Sequence, residues 1–427
     1  MLTAGASCLD VTPPLGTHMR GYFEERTAST VHDPLHVRSF ALEDSGGAVA
    51  VAICDVIGID REYLDQAKAL ITETTDLLPE QVIIACTHTH TGPQTGDDAY
   101  TEWLWRRIVD GVRIAWQARE PAEVAWASGT EERLVFNRRY RMADGSVQTN
   151  PGRGNPDVVE PAGPTDPEVG VMVLRRPSGQ TLGLLGNYAL HYIGIPDDFT
   201  AISADYFGFF STLIQRLRGE SFVAALSNGA SGDINNIDVM GGVAPPNDRY
   251  QHCERAGAVV AASALWAWNE AAFTDDVPLA GALEEITLEP RPPVTEEDLA
   301  KAKEIEDRLA EDKPVRMGER SFQRRVRRFE AEPPSPRATI VQALRIGDLA
   351  LVGAPGELFV ELGLEIKRRS PFAQTMVLEL ANDSVGYIPT LRAFDEGAYE
   401  ANSSRYAPGF GELIVETAMH LLEDLRG

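Results

Sequence analysis

The sequence predicts an α/β fold in which helices flank a mixed β-sheet and a site lies at the strand ends. Short apolar runs typical of buried strands alternate along the chain with segments of helical apolar spacing. Polar residues that could bind a metal directly follow several of these runs. The chain has 427 residues, 43% of them hydrophobic and 24% charged, which is an ordinary globular composition with enough material for a large core.

The strand predictions rest on apolar or alternating runs bounded by turn residues, and the helix predictions rest on apolar spacing near 3.6 residues. Strands are predicted at residues 4–11, 37–42, 48–54, 82–85, 122–130, 132–137, 169–175, 181–189, 222–226, 341–346, 349–354 and 375–380. Helices are predicted at residues 61–75, 99–119, 204–218, 251–269, 358–369 and 411–425. A DSGG turn at residues 44–47 predicts a hairpin. No internal repeat is evident, and we interpret residues 1–427 as one compact domain.

Two segments depart from this pattern. Residues 142–166 are rich in Gly, Pro, Asn and Asp and predict a long irregular loop. Residues 296–332 are rich in Glu, Lys and Arg with helical spacing, and they predict a charged helical insertion. The insertion is interpreted as a solvated helical pair, with a lid or an oligomer contact as the alternatives.

Charge and cysteine content narrow the class of protein. A formal net charge of −25 argues against nucleic acid and against anionic membranes, since both need basic patches. No apolar stretch approaches the ~18 to 20 residues of a membrane span, and no signal peptide is visible. The four cysteines form no C-x-x-C pair and predict free thiols. We therefore expect a cytoplasmic protein without stable membrane insertion.

The strongest chemical signal is the THTHTGP motif at residues 87–93, which follows a predicted buried strand. In extended chain, residues i and i+2 share a face, so His88 and His90 would point the same way. Neutral imidazoles are good zinc ligands or general bases, although one of the two could be only structural. His191, Glu357 and an Asp383/Tyr387 pair follow other predicted strands, and convergence of such strand ends predicts a catalytic zinc site.

A set of motifs in this order resembles the neutral/alkaline, non-lysosomal ceramidase family. The motifs are DVTPP at 10–14, GY at 21–22, DPLHVR at 33–38, THTHTGP at 87–93, GD at 232–233, PGE at 355–357 and YIPT at 387–390. That family is a zinc-dependent amidase whose metal is held by two His, a Glu and a Tyr. Carried over by motif, the resemblance implies His88, His191, Glu357 and Tyr387 as the zinc ligands.

The resemblance also implies roles around the metal. His90 becomes the residue that handles protons or contacts substrate, with Asp233 as a second candidate for accepting or relaying the proton. Arg138 and Tyr399 resemble the family's arginine near the substrate and its tyrosine facing the scissile carbonyl. They would supply donors where negative charge develops.

The sequence departs from the family in its loop and in its extent. The family's Gly-Asp-x-Ser-Pro-Asn loop is here GDINN at residues 232–236, with Asn235 at the serine position. A mechanism using that serine as nucleophile is therefore excluded, and Ser231 is interpreted as structural. We expect this chain to lack the family's C-terminal β-sandwich domain. That expectation favours a substrate smaller or more soluble than long-chain ceramide.

The predicted function is hydrolysis of an N-acyl amide by metal-activated water. Two alternatives stay open: an esterase or lactonase using the same site, and a binding protein that keeps the scaffold without the chemistry. The expected partner is a small-molecule amide or ester, with a homo-oligomer as a further expectation.

Overall fold

A computed structural model describes residues 1–96, 98–193, 200–241 and 249–427. The strands are β1 (Thr3–Asp10), β2 (His18–Met19), β3 (Arg26–Thr27), β4 (Thr30–Val31), β5 (His36–Glu43), β6 (Ala48–Cys54), β7 (Val82–Cys86), β8 (Glu120–Pro121), β9 (Glu123–Thr130), β10 (Phe136–Asn137), β11 (Arg139–Met142), β12 (Val147–Thr149), β13 (Val158–Pro161), β14 (Glu168–Arg175), β15 (Thr181–Tyr188), β16 (Ala201–Ile202), β17 (Val223–Asn228), β18 (Ile234–Asn235), β19 (Leu279–Leu288), β20 (Arg337–Ile346), β21 (Leu349–Gly353), β22 (Glu357–Leu358), β23 (Gln374–Leu378) and β24 (Tyr387–Ile388).

The helices are α1 (Arg61–Thr74), α2 (Ala99–Gln117), α3 (Asp205–Arg218), α4 (Arg249–Glu270), α5 (Glu296–Ala310), α6 (Met317–Ala331), α7 (Val360–Arg369), α8 (Leu391–Glu396), α9 (Ala398–Ser403) and α10 (Phe410–Arg426). A 3₁₀ turn at Pro79–Gln81 precedes β7. No helix among the described residues is both long and apolar enough to cross a bilayer.

Three sheets share one topology, which the sequence did not reveal. Their strand orders are β7-β6-β5-β1, extended by β8, then β17-β15-β14-β9, and β23-β21-β20-β19. In each sheet three antiparallel strands are followed by a crossover helix, α1, α3 or α7, that leads to a fourth strand parallel to the third. A second helix, α2, α4 or α10, follows each fourth strand. The prediction of no internal repeat is therefore wrong for the structure: the topology repeats three times without a matching sequence.

The three sheets pack around a common apolar core. One face of each contributes to it, for example Phe40 from β5, Met172 from β14 and Leu344 from β20, all fully buried. The opposite faces pack on helices: α1 and α2 cover the first sheet, α3 and α4 the second, and α7 and α10 the third. Strands buried on both faces read as continuous apolar runs, which is why AVAVAIC of β6 was recognisable.

The α/β fold class is confirmed, and two local predictions are wrong. Residues 132–137 form a strand only at β10, because the Glu131 side chain bonds the backbone N–H and guanidinium of Arg133 and turns the chain. Residues 142–166 contain β12 and β13, which pair with β11 as a small sheet. Strand β19 was not predicted, since its Glu-rich, half-exposed face resembles a solvated segment.

The charged segment 296–332 forms two helices, α5 and α6, that pack on each other, and α6 also packs on α9. A capping box begins α5, in which the Thr295 hydroxyl accepts from the Asp298 N–H. Helix α6 places Met317 and Arg324 on the wall of the cavity described next. The segment is thus not merely a solvated pair, because it borders the candidate site.

Candidate active site

A cavity of about 360 Å³ opens at the carboxyl ends of the parallel strands. Seven of the eight predicted site residues line it: His88, His90, Arg138, His191, Glu357, Tyr387 and Tyr399. The donors come from equivalent places in the three sheets. His88 and His90 follow the fourth strand of the first sheet, His191 follows the third strand of the second, and Glu357 and Tyr387 follow the third and fourth strands of the last.

Three buried histidines form the floor of the cavity. Ligand atoms of His88, His90 and His191 all lie within 4.8 Å of one another. Their ring centroids are 4.6–4.9 Å apart in edge-on arrangements. The family resemblance does not count His90 among the metal ligands. In the structure, however, the His90 ring lies about as close to the rings of His88 and His191 as those two rings lie to each other.

His88 is oriented by backbone contacts rather than by strand pleating. Its N–H donates to the Val56 carbonyl, and its Nδ1 lies 2.7 Å from the Ile57 carbonyl oxygen. A carbonyl only accepts, so Nδ1 carries the proton and Nε2 keeps its lone pair for the cavity. The argument from extended chain is wrong here, because β7 ends at Cys86 and His88 has φ 66°. A left-handed turn of the backbone, not an i, i+2 relation, brings His88 beside His90.

Glu357 and Tyr387 are direct neighbours in the parallel β22–β24 pair. Glu357 Oε2 lies 3.5 Å from His88 Nε2 and 3.7 Å from His191 Nδ1. The Tyr387 ring stacks at 6.5 Å from the His191 ring. This register brings a carboxylate and a phenol to the same edge of the histidine cluster.

The donor atoms of this cluster lack protein partners. Both ring nitrogens of His90 and His191, and Oε2 of Glu357, are buried without a hydrogen-bond partner in the described part of the chain. Burial comes first in holding the pKa of His90 and of His191 well below its ordinary value, so both imidazoles are neutral. Neutral imidazoles beside a carboxylate, with their lone pairs unsatisfied, fit a divalent metal ion with nitrogen and oxygen ligands.

Arg138 is wholly buried behind the phenols. Its Nε donates to Glu400 Oε1 at 2.7 Å and its Nη2 donates to the Gly232 carbonyl at 2.7 Å. Its guanidinium carbon lies 5.3 Å from the Tyr387 ring centre and 6.0 Å from that of Tyr399. Burial raises the pKa of both tyrosines, while the nearby Arg138 charge lowers it. Burial has the larger effect, so the pKa of both tyrosines is raised overall, and Arg138 is a fixed positive charge beside them that opposes this rise.

Asp233 does not reach the cavity wall. Its Oδ1 accepts from the Val360 N–H at 2.8 Å and its Oδ2 from Asn137 Nδ2 at 2.8 Å. Burial raises its pKa to about 6. Its contacts tie the first turn of α7, just after Glu357, to β10, which directly precedes Arg138. These contacts give Asp233 a positioning role rather than that of a proton relay.

Three other polar residues are likewise held by structural contacts. Ser231 donates to the buried Glu379 carboxylate at 2.7 Å. Asp383 accepts from the Thr339 hydroxyl at 2.7 Å and from the Arg337 guanidinium at 2.5 Å. Asn235, at the serine position of the family loop, donates to Asn150 Oδ1 at 2.7 Å. None of the three lines the cavity among the described residues.

Sequence reasoning missed the residues that hold the site. The Asp205 carboxylate accepts from the Thr89 hydroxyl, the His90 N–H and the Thr91 hydroxyl at 2.8–3.1 Å, so it fixes the THT part of the motif. Glu400 was overlooked although it follows Tyr399 directly. Its position directly after Tyr399 was the available signal. Asp205 lies over a hundred residues from its partners and gave no local signal.

In sequence, the chain is similar to neutral ceramidases of two bacteria. A neutral ceramidase of Pseudomonas aeruginosa is 23% identical over 483 residues, spanning 95% of this chain and 70% of the relative. A neutral ceramidase of Mycobacterium tuberculosis is 24% identical over 509 residues, spanning all of this chain and 77% of the relative. No family model matches the chain.

Solved structures give the same result for the fold. A structure described as a ceramidase complexed with C2 superposes with TM-score 0.77 at 18% identity, covering all of this chain and 75% of that one. The crystal structure of the neutral ceramidase from P. aeruginosa superposes with TM-score 0.75 at 20% identity, covering 99% and 75%. The fold of this chain is that of these proteins, over nearly its whole length.

Proposed function

We propose that this chain, a relative of the neutral ceramidases, is a zinc-dependent hydrolase of N-acyl amides. The relatives support an amide-bond hydrolase, and the three buried histidines support a bound metal. The single observation that carries the proposal is the set of neutral, unsatisfied imidazole nitrogens beside a buried carboxylate. An esterase or lactonase would need the same groups, so only a substrate panel separates the two.

Zinc is the metal that this donor set favours. His88, His191, Glu357 and Tyr387 would hold it, giving nitrogen and oxygen ligands of the types that zinc binds. A zinc ion bound there would polarise an acyl carbonyl and lower the pKa of a water molecule to about 7.

The remaining residues act on the substrate and on protons. His90, neutral and without a protein partner, faces the same space and is the proposed proton acceptor at a ring nitrogen. The Tyr399 hydroxyl is the proposed donor to the oxygen on which negative charge develops. Because the Arg138 nitrogens already bond Glu400 and Gly232, its proposed contribution is a fixed charge beside both phenols.

The proposed substrate is smaller or more soluble than a long-chain ceramide. A cavity of about 360 Å³ is near the lower limit of small-molecule sites, which span roughly 300–1,000 Å³. Its wall includes the large side chains of Tyr22, Phe23 and Met317.

The test measures zinc content and hydrolysis of N-hexanoyl amides in the wild type, His88→Ala and Glu357→Ala. Both variants should lose bound zinc and at least about 10³-fold in kcat/KM. Chelation should abolish wild-type activity, and added zinc should restore it. Full activity of metal-free protein would contradict the proposal. Hexanoate esters assayed in parallel decide between amidase and esterase, and tight substrate binding without turnover in zinc-loaded protein would favour a binding protein.

Two further expectations stay predictions. A cytoplasmic location is tested by fractionation of cells that express the full chain. A homo-oligomer formed through α5 and α6 is tested by light scattering of the wild type and of a variant that lacks residues 296–332; equal subunit numbers would exclude that contact.

A further inference from the structure

The mouth of the cavity carries positive charge that its surroundings do not neutralise. Arg20 and Arg324 both line it and both are exposed. Within the described ranges, neither guanidinium has an acidic partner at ion-pair distance. The only acidic side chain among the described lining residues is Glu357, which lies on the floor with the histidines.

The two arginines belong to one rim. Arg324 lies over the Phe23 ring, with 4.6 Å from its guanidinium carbon to the ring centre. Phe23 in turn makes an edge contact with Tyr399, at 6.0 Å between ring centres. Arg20 precedes Phe23 by three residues and its backbone is held by Gly92 and Arg26. An unbroken contact path therefore leads from the rim charges to a phenol of the candidate site.

Helix α6 carries three arginines on one face, and one of them, Arg324, lines the cavity. Arg320, Arg324 and Arg328 lie four residues apart on one face. Like charges at that spacing repel each other and destabilise a helix. The chain carries a net charge of −25, so neutral or acidic residues there would be the ordinary composition.

An anionic substrate approaching an otherwise acidic protein meets its favourable potential at this rim.

We propose that the cavity mouth selects substrates that carry an anionic group, such as a carboxylate, a few bonds from the scissile amide. The inference rests on the proposed amide hydrolysis and adds the substrate class. Arg20 and Arg324 bind the anion by charge-assisted hydrogen bonds while the amide reaches the histidine floor. The anion belongs either to the amine part or to the acyl part of the substrate.

The experiment compares charged and neutral amides of matched size on the zinc-loaded full chain. N-hexanoylglycine is paired with N-hexanoylglycinamide. The N-hexyl monoamide of adipic acid is paired with the same molecule in which a primary amide replaces the free carboxylate. The first pair places the anion on the amine part and the second on the acyl part. At low ionic strength kcat/KM for the charged member of one pair should exceed that of its neutral partner by on the order of tenfold. The preference should decline at high salt, since the rim is exposed.

Two variants assign the preference to the rim. Arg20→Gln/Arg324→Gln should remove it, so that within this variant kcat/KM for the charged amide falls to that for its neutral partner. Arg216→Gln, which removes an exposed arginine of α3 far from the cavity wall, should leave the preference intact. Equal rates on charged and neutral amides in the wild type, or an unchanged preference in the double variant, overturns the inference while amide hydrolysis itself stands.

A binding measurement separates this inference from failure of the proposed function. N-(hexylsulfonyl)glycine and its primary amide resist hydrolysis and are titrated calorimetrically into the same proteins. Tighter binding of N-(hexylsulfonyl)glycine by the wild type than by the double variant supports anion binding by Arg20 and Arg324, even where no amide is hydrolysed. Equal affinity of the two sulfonamides for the wild type overturns it whether or not amides are hydrolysed.

Discussion

Arg138 and Glu400 form a buried ion pair behind the candidate site, with 2.7 Å between Nε and Oε1 and side chains 2% and 0% exposed. Glu400 also accepts from the Thr149 hydroxyl and from Arg139, so both its oxygens are occupied. Breaking such a pair leaves an uncompensated charge in the interior, which costs far more than the pair itself contributes.

Glu400→Gln should therefore lower the free energy of unfolding by about 3–5 kcal/mol, measured by chemical denaturation. It should also lower kcat, because Arg138 loses the contact that holds it beside the phenols. The control Glu365→Gln breaks an exposed pair with Arg368 and should cost less than about 1 kcal/mol. Equal effects of the two substitutions would contradict a buried anchoring role.

His90→Asn distinguishes a metal ligand from a proton acceptor. If His90 handles protons, this variant should retain zinc near wild-type stoichiometry and lose about 10²–10⁴-fold in kcat. The matched variant His88→Asn removes a proposed zinc ligand and should therefore lose the metal as well as activity. Zinc content is measured by elemental analysis after dialysis. Loss of zinc from His90→Asn would make His90 a ligand instead.

Gly232 is required by the close approach of two backbones. A Cβ there would lie 2.3 Å from the Glu357 carbonyl oxygen, a contact that the backbone must move to relieve. Gly232→Ala should weaken zinc binding roughly 10–100-fold, as expected when a ligand's support is displaced. Gly96→Ala is the control, since a Cβ at Gly96 meets no atom within 4 Å. Competition with a fluorescent chelator measures both affinities, and wild-type affinity in Gly232→Ala would disprove the constraint.

Lys68 predicts a pH dependence of stability remote from the site. It is buried in α1, donates to Gln342 Oε1 at 2.7 Å, and burial lowers its pKa from 10.5 to about 7. Below pH 7 both states bind the proton and the burial penalty is fully present. Between pH 7 and 10.5 only the unfolded chain binds it, so stability rises with pH there.

Lys68→Met should remove this rise and stabilise the protein at pH 6 by on the order of 3–5 kcal/mol. Gln342 Oε1 still accepts from Asn382 in the variant, so no acceptor is orphaned. Unfolding free energies at pH 6 and pH 9 are compared with those of wild type and of Lys303→Met, an exposed lysine. A variant that parallels the wild type across this range would show that Lys68 does not titrate there.

Local sequence signals predicted the strands and the ligand types but not the supports. A buried strand followed by THTHTGP is contained in a dozen residues, so its placement at a strand end was readable. Asp205 meets that motif from more than a hundred residues away, and Glu400 meets Arg138 across 262 positions. Such pairings have no local pattern and depend on how the sheets dock.

The repeat and the rim were missed for related reasons. The three sheets share a topology, but their strands show only the apolar pattern of any buried strand. No particular residue therefore identifies the repeat in the sequence. Arg324 reads from sequence as one of many charges on a solvated helix. Only the packing of α6 beside Phe23 shows that it borders the cavity.

Each of the three sheets supplies part of the donor set, and no single sheet holds it. His88 comes from the first, His191 from the second, and Glu357 and Tyr387 from the last. A chain emerging from the ribosome therefore cannot assemble a high-affinity metal centre until residue 387 is synthesised and all three sheets have docked. For the proposed zinc site, metal binding is therefore deferred to the finished fold, and partly folded or truncated chains should compete poorly for the cell's zinc.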